Sequence, residues 1–182
     1  MNCPPYVVGL DFSITASGVA DSAGRVVAAG KSGVTTLPPA GRCLALQQVG
    51  QIVWGHLDLH GDGALLVIES LEAVKGKGNG GLIERGFVWY WLIAAALDRG
   101  HRIMVVHPRI VKKYATGHGD ANKREMLTAV NGWGKWEVGR NDNKADAAAL
   151  CAIGLHVLGF PVVEETAERK TIIEGLKIEG KM

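Results

Sequence analysis

The stretch VVGLDFSITASGVA, residues 7–20, decides the fold. An apolar run predicts a β-strand over residues 6–11 that ends at Asp11, and small and hydroxyl residues follow it. Residues 17–21 and 25–30 predict two more strands, joined by a turn at Gly24, so the three strands form an antiparallel meander. A carboxylate at the end of an apolar strand is either a solvated strand terminus or part of a site, and this stretch alone does not distinguish the two.

The rest of the chain alternates helices and strands. Apolar residues at helical spacing predict a helix between residues 39 and 61, and ALLVIES, residues 64–70, predicts a strand buried on both faces. The apolar run 87–97 predicts a buried helix, because its 11 residues are too few for the roughly 20 of a membrane span. Residues 102–106 predict a fifth strand, and residues 121–131 and 143–158 predict helices. The order β-β-β-α-β-α-β-α-α predicts an α/β fold, a five-stranded mixed sheet with helices on both faces.

The composition predicts one compact domain. A chain of 182 residues with 47% hydrophobic residues has the material for one core, which we place at residues 1–160, with residues 161–182 as a C-terminal tail, helical or frayed. Cys3, Cys43 and Cys151 are odd in number, far apart and outside any C-x-x-C pattern, which argues against a disulfide framework and a thiolate zinc site. Because no secretion signal is seen, the expected location is a reducing cytoplasm.

Basic residues are concentrated in one part of the chain. The formal net charge is only +2, but residues 75–146 hold 13 Lys and Arg against 7 Asp and Glu. This excess predicts a surface that faces a polyanion such as nucleic acid. The loop KGKGNGG, residues 75–81, is either a plain flexible connection or a phosphate-binding segment that uses Lys75 and Lys77.

Four acidic residues fall where their side chains can meet. Asp11 ends the first predicted strand and Glu69 the fourth, and the carboxyl ends of parallel strands form the usual ligand-binding edge of an α/β sheet. Asp142 and Asp146, four residues apart, share one face at the start of the last predicted helix. Each acid alone is more often a solvated strand end or a helix cap. Together, the carboxylates predict a site for a hard cation, Mg²⁺ or Mn²⁺, whose commonest use is two-metal phosphoryl transfer.

These motifs, in this order, resemble the RuvC-like Holliday junction resolvases, a family with the ribonuclease H fold, and especially the compact versions found in bacteriophages. The strongest match is PRIVKKYATGHGDANK, residues 108–123, which reproduces V-K-x4-G-x-G-x-A-x-K from Val111 to Lys123. GLDFSITASGVA resembles the opening strand of the family, VIES its second acidic motif, and ADAAALCAIGLH its closing acidic helix. The resemblance covers roughly residues 6–158.

The resemblance implies an endonuclease that hydrolyses a phosphodiester in four-way or other branched DNA, acting as a homodimer in the cytoplasm, that of the host if the chain comes from a phage. The apolar helix at 87–97 independently favours a face that meets either a second subunit or the tail. The implied catalytic and metal-binding carboxylates are Asp11, Glu69, Asp142 and Asp146, which would hold two Mg²⁺ ions, for which Mn²⁺ can substitute. Lys123 is an implied further catalytic residue. The implied DNA-binding residues are Lys75, Lys77, Arg85, Lys112, Lys113, Lys123 and Arg124.

Two departures from the family pattern leave alternatives open. The family spaces its last two acids as D-x-x-D, whereas here Asn143 lies three and Asp142 four residues before Asp146, and either offset keeps the side chain on the same helix face. The family often carries an aromatic residue shortly after the Glu, and ESLEAVKGKGNGG has none. The alternatives are a nuclease of the same fold acting on other branched DNA or RNA–DNA hybrids, a junction-binding protein without catalysis, and an actin-like ATPase.

Overall fold

The computed structural model describes residues 5–30, 32–60, 63–71 and 82–180. Its strands are β1 (Val7–Asp11), β2 (Ser17–Asp21), β3 (Val26–Ala29), β4 (Leu65–Glu69) and β5 (Arg102–Val106). Its α-helices are α1 (Pro39–Leu57), α2 (Leu82–Asp98), α3 (Pro108–Thr116), α4 (Lys123–Gly132), α5 (Asp142–Val157) and α6 (Ala167–Glu174). Short 3-10 helices span Val34–Thr36 and Asp58–His60.

The five strands form one mixed sheet in the order β3-β2-β1-β4-β5. The first three strands pair antiparallel as the predicted meander, and β4 and β5 pair parallel to β1 and to each other. All five strands were predicted from the sequence to within one residue at each end, because each is a short apolar run bounded by polar or turn residues.

Helices cover both faces of the sheet. On β1, Val7 faces a core shared with α3, α4 and α5, whereas Val8 and Leu10 face a second core shared with α1 and α2. This division follows from the pleat, which points successive side chains of a strand to opposite faces. The predicted fold class, a five-stranded mixed sheet with helices on both faces, is confirmed.

Helix α3 is the main element that the sequence did not predict. It begins at Pro108, a favourable first helical residue, and the His107 imidazole caps it by accepting a hydrogen bond from the Arg109 N–H at 3.1 Å. It ends at Gly117, whose φ of 91° lies in the left-handed region. Its buried residues, Val111, Tyr114 and Ala115, do have helical spacing, but a helix of nine residues offers only one such repeat within a strongly basic segment.

Helix α2 is longer than the predicted run and is not buried on all sides. Val88, Trp89 and Leu92 face the core, but the side chains of Phe87 and Tyr90 are each 67% exposed. The expectation of a buried helix therefore holds for one side only, and the cover of the exposed face by a second subunit stays a prediction. Among the described residues, no helix is both long enough and apolar enough to span a bilayer.

The tail folds back onto the domain. Of the two predicted states, helical or frayed, the structure shows a helix, α6, followed by a bridge in which Ile103 and Glu179 exchange backbone hydrogen bonds of 2.8 and 2.7 Å. This bridge covers the outer edge of β5, which leaves fewer unpaired backbone groups there. Ile172, Ile173 and Leu176 pack on the core beneath α5. The division of the chain at residue 160 stays a prediction.

Candidate active site

Two glycines let α5 lie directly on the sheet. A Cβ atom added at Gly9 would overlap the Ala147 carbonyl oxygen, and one added at Gly18 would overlap the Asn143 carbonyl oxygen. Because both obstacles are helix backbone, no side-chain adjustment would relieve the overlap. Gly18 is paired with Asp11 across β1 and β2, so the N-terminus of α5 lies at the level of Asp11.

The structure brings the four predicted acids to the same end of the sheet from three elements. Leu10 of β1 pairs with Ile68 of β4, so Asp11 and Glu69 are the next residues on parallel neighbouring strands. By the alternation of side chains, both lie on the face that α5 covers. Asp142 and Asp146 occupy the first two turns of α5, which Gly18 holds against this end of the sheet.

The charges of these carboxylates act on one another's pKa values. Burial raises the pKa of Asp11 well above its ordinary value, and the charges of Glu69, Asp146 and Asp142 raise it further, against the opposing charge of Arg85. Burial and the charge of Asp142 raise the pKa of Asp146 to about 6. Ionising all of these carboxylates near neutral pH is therefore unfavourable unless a cation binds among them.

Lys123 forms an ion pair with one member of this group. Its ammonium pairs with the Asp142 carboxylate, and the hydrogen bond between them lowers the pKa of Asp142 and raises that of Lys123. The Lys123 side chain is 82% exposed, so only its end is engaged. The charge of Asp142 acts on Asp11 and Asp146, and the choice between Asp142 and Asn143 for the fourth position of the site stays a prediction.

The glycine-lysine motif has a structural reason at each fixed position. Gly117 ends α3 in the left-handed conformation, and a side chain at Gly119 would crowd the Arg109 carbonyl oxygen. Ala121 is buried in the core.

Asn122 caps α4 in a capping box. Its side-chain oxygen accepts hydrogen bonds from the Arg124 and Glu125 N–H groups at 2.9 and 3.1 Å, and the Glu125 carboxylate accepts one from the Asn122 N–H. The motif therefore places Lys123 at the first residue of a firmly capped helix.

The predicted DNA-binding residues divide into three groups. Arg85 and Lys112 lie close enough for their charges to act on Asp11 and Asp146, respectively. Lys113 instead pairs with Glu168 of α6 at 3.1 Å, and Arg124 lies exposed in the first turn of α4, beside a surface cleft. The predicted phosphate contacts at Lys75 and Lys77 lie outside the described residues.

Glu168 is a residue near the site that the sequence did not single out. It lies in the first turn of α6, after the capping residue Thr166, in a tail that the sequence left as helical or frayed. A helix cap followed by an acidic first turn, T-A-E, is the one signal for it in the sequence. Its pairing with Lys113 depends on how the tail folds back, which no local pattern specifies.

The donor chemistry fits a hard divalent cation, although the acids are not gathered around one point. Within the described residues, no three His, Cys, Asp or Glu side chains are grouped closely enough to hold one ion as they stand. The converging acids offer only carboxylate oxygens, the ligands that Mg²⁺ and Mn²⁺ prefer. Burial and the neighbouring carboxylates raise the pKa values of Asp11 and Asp146, and a bound cation would favour their ionised forms.

Comparison with known proteins identifies the fold. No family model and no curated protein sequence matches the chain. The chain is similar to a Thermus thermophilus RuvC structure, with a TM-score of 0.62 and 21% identity over 85% of this chain and 97% of that one. It is also similar to T. thermophilus RuvC in complex with a Holliday junction substrate, with a TM-score of 0.60 and 21% identity over 86% of this chain and 97% of that one. The chain therefore has the RuvC fold, which is ribonuclease H-like, as the motifs predicted.

Proposed function

We propose that this protein is a Mg²⁺-dependent endonuclease that cuts four-way DNA junctions as a homodimer. The observation that carries the proposal is the convergence of Asp11, Glu69, Asp142 and Asp146 at one end of the sheet, with Lys112 and Lys123 beside them. The proposal is supported by the likeness to a RuvC structure whose partner is a Holliday junction substrate. Origin from a bacteriophage remains part of the hypothesis, resting on the motifs alone.

The proposed roles follow from position. Two Mg²⁺ ions would be held by the four carboxylates, those of Asp11, Glu69, Asp142 and Asp146. Asp142 would then bind an ion in place of the Lys123 ammonium. When bound, the ions would supply Lewis-acid stabilisation of the phosphate and an activated water. Lys123, freed from Asp142, would then contact the phosphate near the scissile bond, where a positive charge stabilises the transition state. Lys112 would hold the neighbouring backbone, because its charge already reaches Asp146.

Cleavage of a synthetic four-way junction tests this function. With Mg²⁺, the wild-type protein is expected to cut strands near the junction centre, and Asp11→Asn is expected to keep DNA binding and lose cleavage. Asp120→Asn is the matched control, since Asp120 is an exposed carboxylate outside the acid cluster. Cutting by Asp11→Asn at the wild-type rate would refute the site.

Further substrates in the same assay separate the alternatives. Faster cutting of an RNA–DNA hybrid or a fork than of the four-way junction would assign a different substrate to the fold. Tight junction binding without cleavage in Mg²⁺ or Mn²⁺ would indicate a junction-binding protein. This alternative agrees with the positions of the acids, which are not grouped around one point in the described part of the chain. Turnover of ATP would favour the ATPase.

The proposed dimer uses the exposed face of α2. Phe87 and Tyr90 leave two aromatic rings, each 67% exposed, on one helix beside a groove lined by α1 residues, including Leu46. Aromatic residues are enriched in protein interfaces. Because junction DNA is two-fold, the proposed partner on this face is a second copy of the chain. Light scattering is expected to give twice the chain mass for the wild type and the chain mass for Tyr90→Glu. A wild-type monomer at micromolar concentration would refute the dimer.

A further inference from the structure

The C-terminal segment is fixed to α3, the helix that carries Lys112 and Lys113. The Arg169 guanidinium donates to the Tyr114 carbonyl oxygen at 3.0 Å and to the Glu164 carbonyl oxygen at 2.8 Å, and it lies 5.5 Å from the centre of the Tyr114 ring. Tyr114 is fully buried. Arg169 therefore connects the start of α6 to a buried residue in the last turn of α3.

A second contact fixes the chain just before α6. The buried imidazole of His156 lies between the Tyr114 hydroxyl, at 3.0 Å, and the Glu165 carboxylate, at 3.1 Å. Thr166 then caps α6 by accepting from the Arg169 N–H at 3.2 Å. The first turn of α6 is thus held from both sides.

These contacts place Glu168 against Lys113. The Lys113 Nζ atom lies 3.1 Å from a Glu168 carboxylate oxygen, next to Gly117 of the glycine-lysine motif. The two side chains are 47% and 45% exposed, so the pair is accessible to a strand of DNA. Lys113 follows Lys112, whose charge reaches the acids. The Glu168 carboxylate therefore engages the exposed ammonium of Lys113.

We propose that Glu168 competes with DNA phosphate for Lys113 and thereby weakens the binding of nucleic acid at this edge of the site. This inference rests on the proposed function, in which α3 faces DNA. A phosphate contacts Lys113 only after Glu168 has been displaced. Because an exposed ion pair is weak, displacement is readily reversible, and a strand held there by the rest of the site can achieve it.

A double-mutant cycle on DNA affinity tests the competition. Glu168→Gln keeps the size of the side chain and one acceptor oxygen and removes its charge. It is expected to tighten binding to a four-way junction by about two- to fivefold, the range that corresponds to one exposed ion pair. In a Lys113→Gln background, the same change is expected to have no effect. Glu174→Gln, an equal loss of charge on an exposed residue of the same helix, is the control and is expected to leave affinity unchanged.

Each possible result either supports or overturns the competition between Glu168 and DNA phosphate. Equal tightening by Glu168→Gln in both backgrounds would overturn the inference, because Glu168 would then repel DNA directly. No tightening with Lys113 intact would also overturn it, while leaving the proposed function in place if the wild type binds and cuts the junction. A wild-type protein that binds no DNA would overturn the proposed function and this inference with it. Melting temperatures of the variants, measured in parallel, show whether α6 stays folded.

Discussion

Replacing Asp146 with asparagine is expected to stabilise the metal-free protein at pH 8. Asp146 lies on α5 close to Asp142, and burial together with that neighbour raises the pKa of its carboxyl to about 6, from an ordinary value of 3.8. Its ionised form is therefore unfavourable in the folded state. Asparagine has nearly the same shape and carries no charge, so it removes this penalty.

The size and sign of the effect follow from proton linkage. One pKa unit corresponds to about 1.4 kcal/mol, so ionised Asp146 lowers the free energy of unfolding by on the order of 3 kcal/mol. Below pH 3.8 the carboxyl is protonated in both states and the penalty is absent. It grows as the pH rises from 3.8 to about 6 and is constant above that. At about 2–4 °C per kcal/mol for a chain of this size, Asp146→Asn is expected to raise the melting temperature by roughly 6–12 °C at pH 8.

Thermal unfolding in EDTA at pH 4 and pH 8 measures this difference. The gain from Asp146→Asn is expected to be large at pH 8 and nearly absent at pH 4, whereas Asp120→Asn, at an exposed site, is expected to change little at either pH. Adding Mg²⁺ at pH 8 is expected to raise the melting temperature of the wild type more than that of Asp146→Asn. An equal gain at both pH values, or none at pH 8, would refute the view that burial and the charge of Asp142 make ionised Asp146 unfavourable in the folded state.

Two further predictions concern packing and DNA binding. Gly18→Ala is expected to destabilise the protein by about 2–3 kcal/mol or to prevent folding, because the added methyl group overlaps the backbone of α5. Gly55→Ala, in an open position of α1, is expected to stabilise it by about 0.5–1 kcal/mol, and urea unfolding of both variants checks the contrast. Lys112→Gln is expected to reduce the log–log salt slope of junction binding by about 0.9, the value for one lost phosphate contact, as measured by fluorescence anisotropy in a KCl series. An unchanged slope would show that Lys112 does not touch the backbone.

The strands and most of the helices could be predicted from the sequence because their signals are local. A run of apolar residues ending at Asp11, or apolar residues at helical spacing, reflects forces between neighbours in the chain. Helix α3 escaped prediction because its nine residues offer only one helical repeat of buried side chains, Val111, Tyr114 and Ala115. For α2, the sequence indicated a face in need of cover, but not which side of the helix the domain leaves exposed.

For the candidate site, too, some features could be predicted from the sequence and others could not. The acids were identified by their positions at strand and helix ends and the lysines by the motif that resembles the family, and the catalytic, metal-binding and DNA-binding roles stay predictions. The structure adds how they interact: Asp11 is held with a raised pKa, Lys123 pairs with Asp142, and Lys113 pairs with Glu168 of the tail.

The sequence by itself therefore determined the order of the elements, the class of fold and the residue types available for chemistry, because these depend on short-range pattern. Only the tertiary structure decided which charges meet. Asp11 and Asp146 are 135 residues apart in the chain and act on each other because glycines at positions 9 and 18 let α5 lie against the sheet. Electrostatic interactions and burial depend on distances in space, and chain folding alone sets those distances.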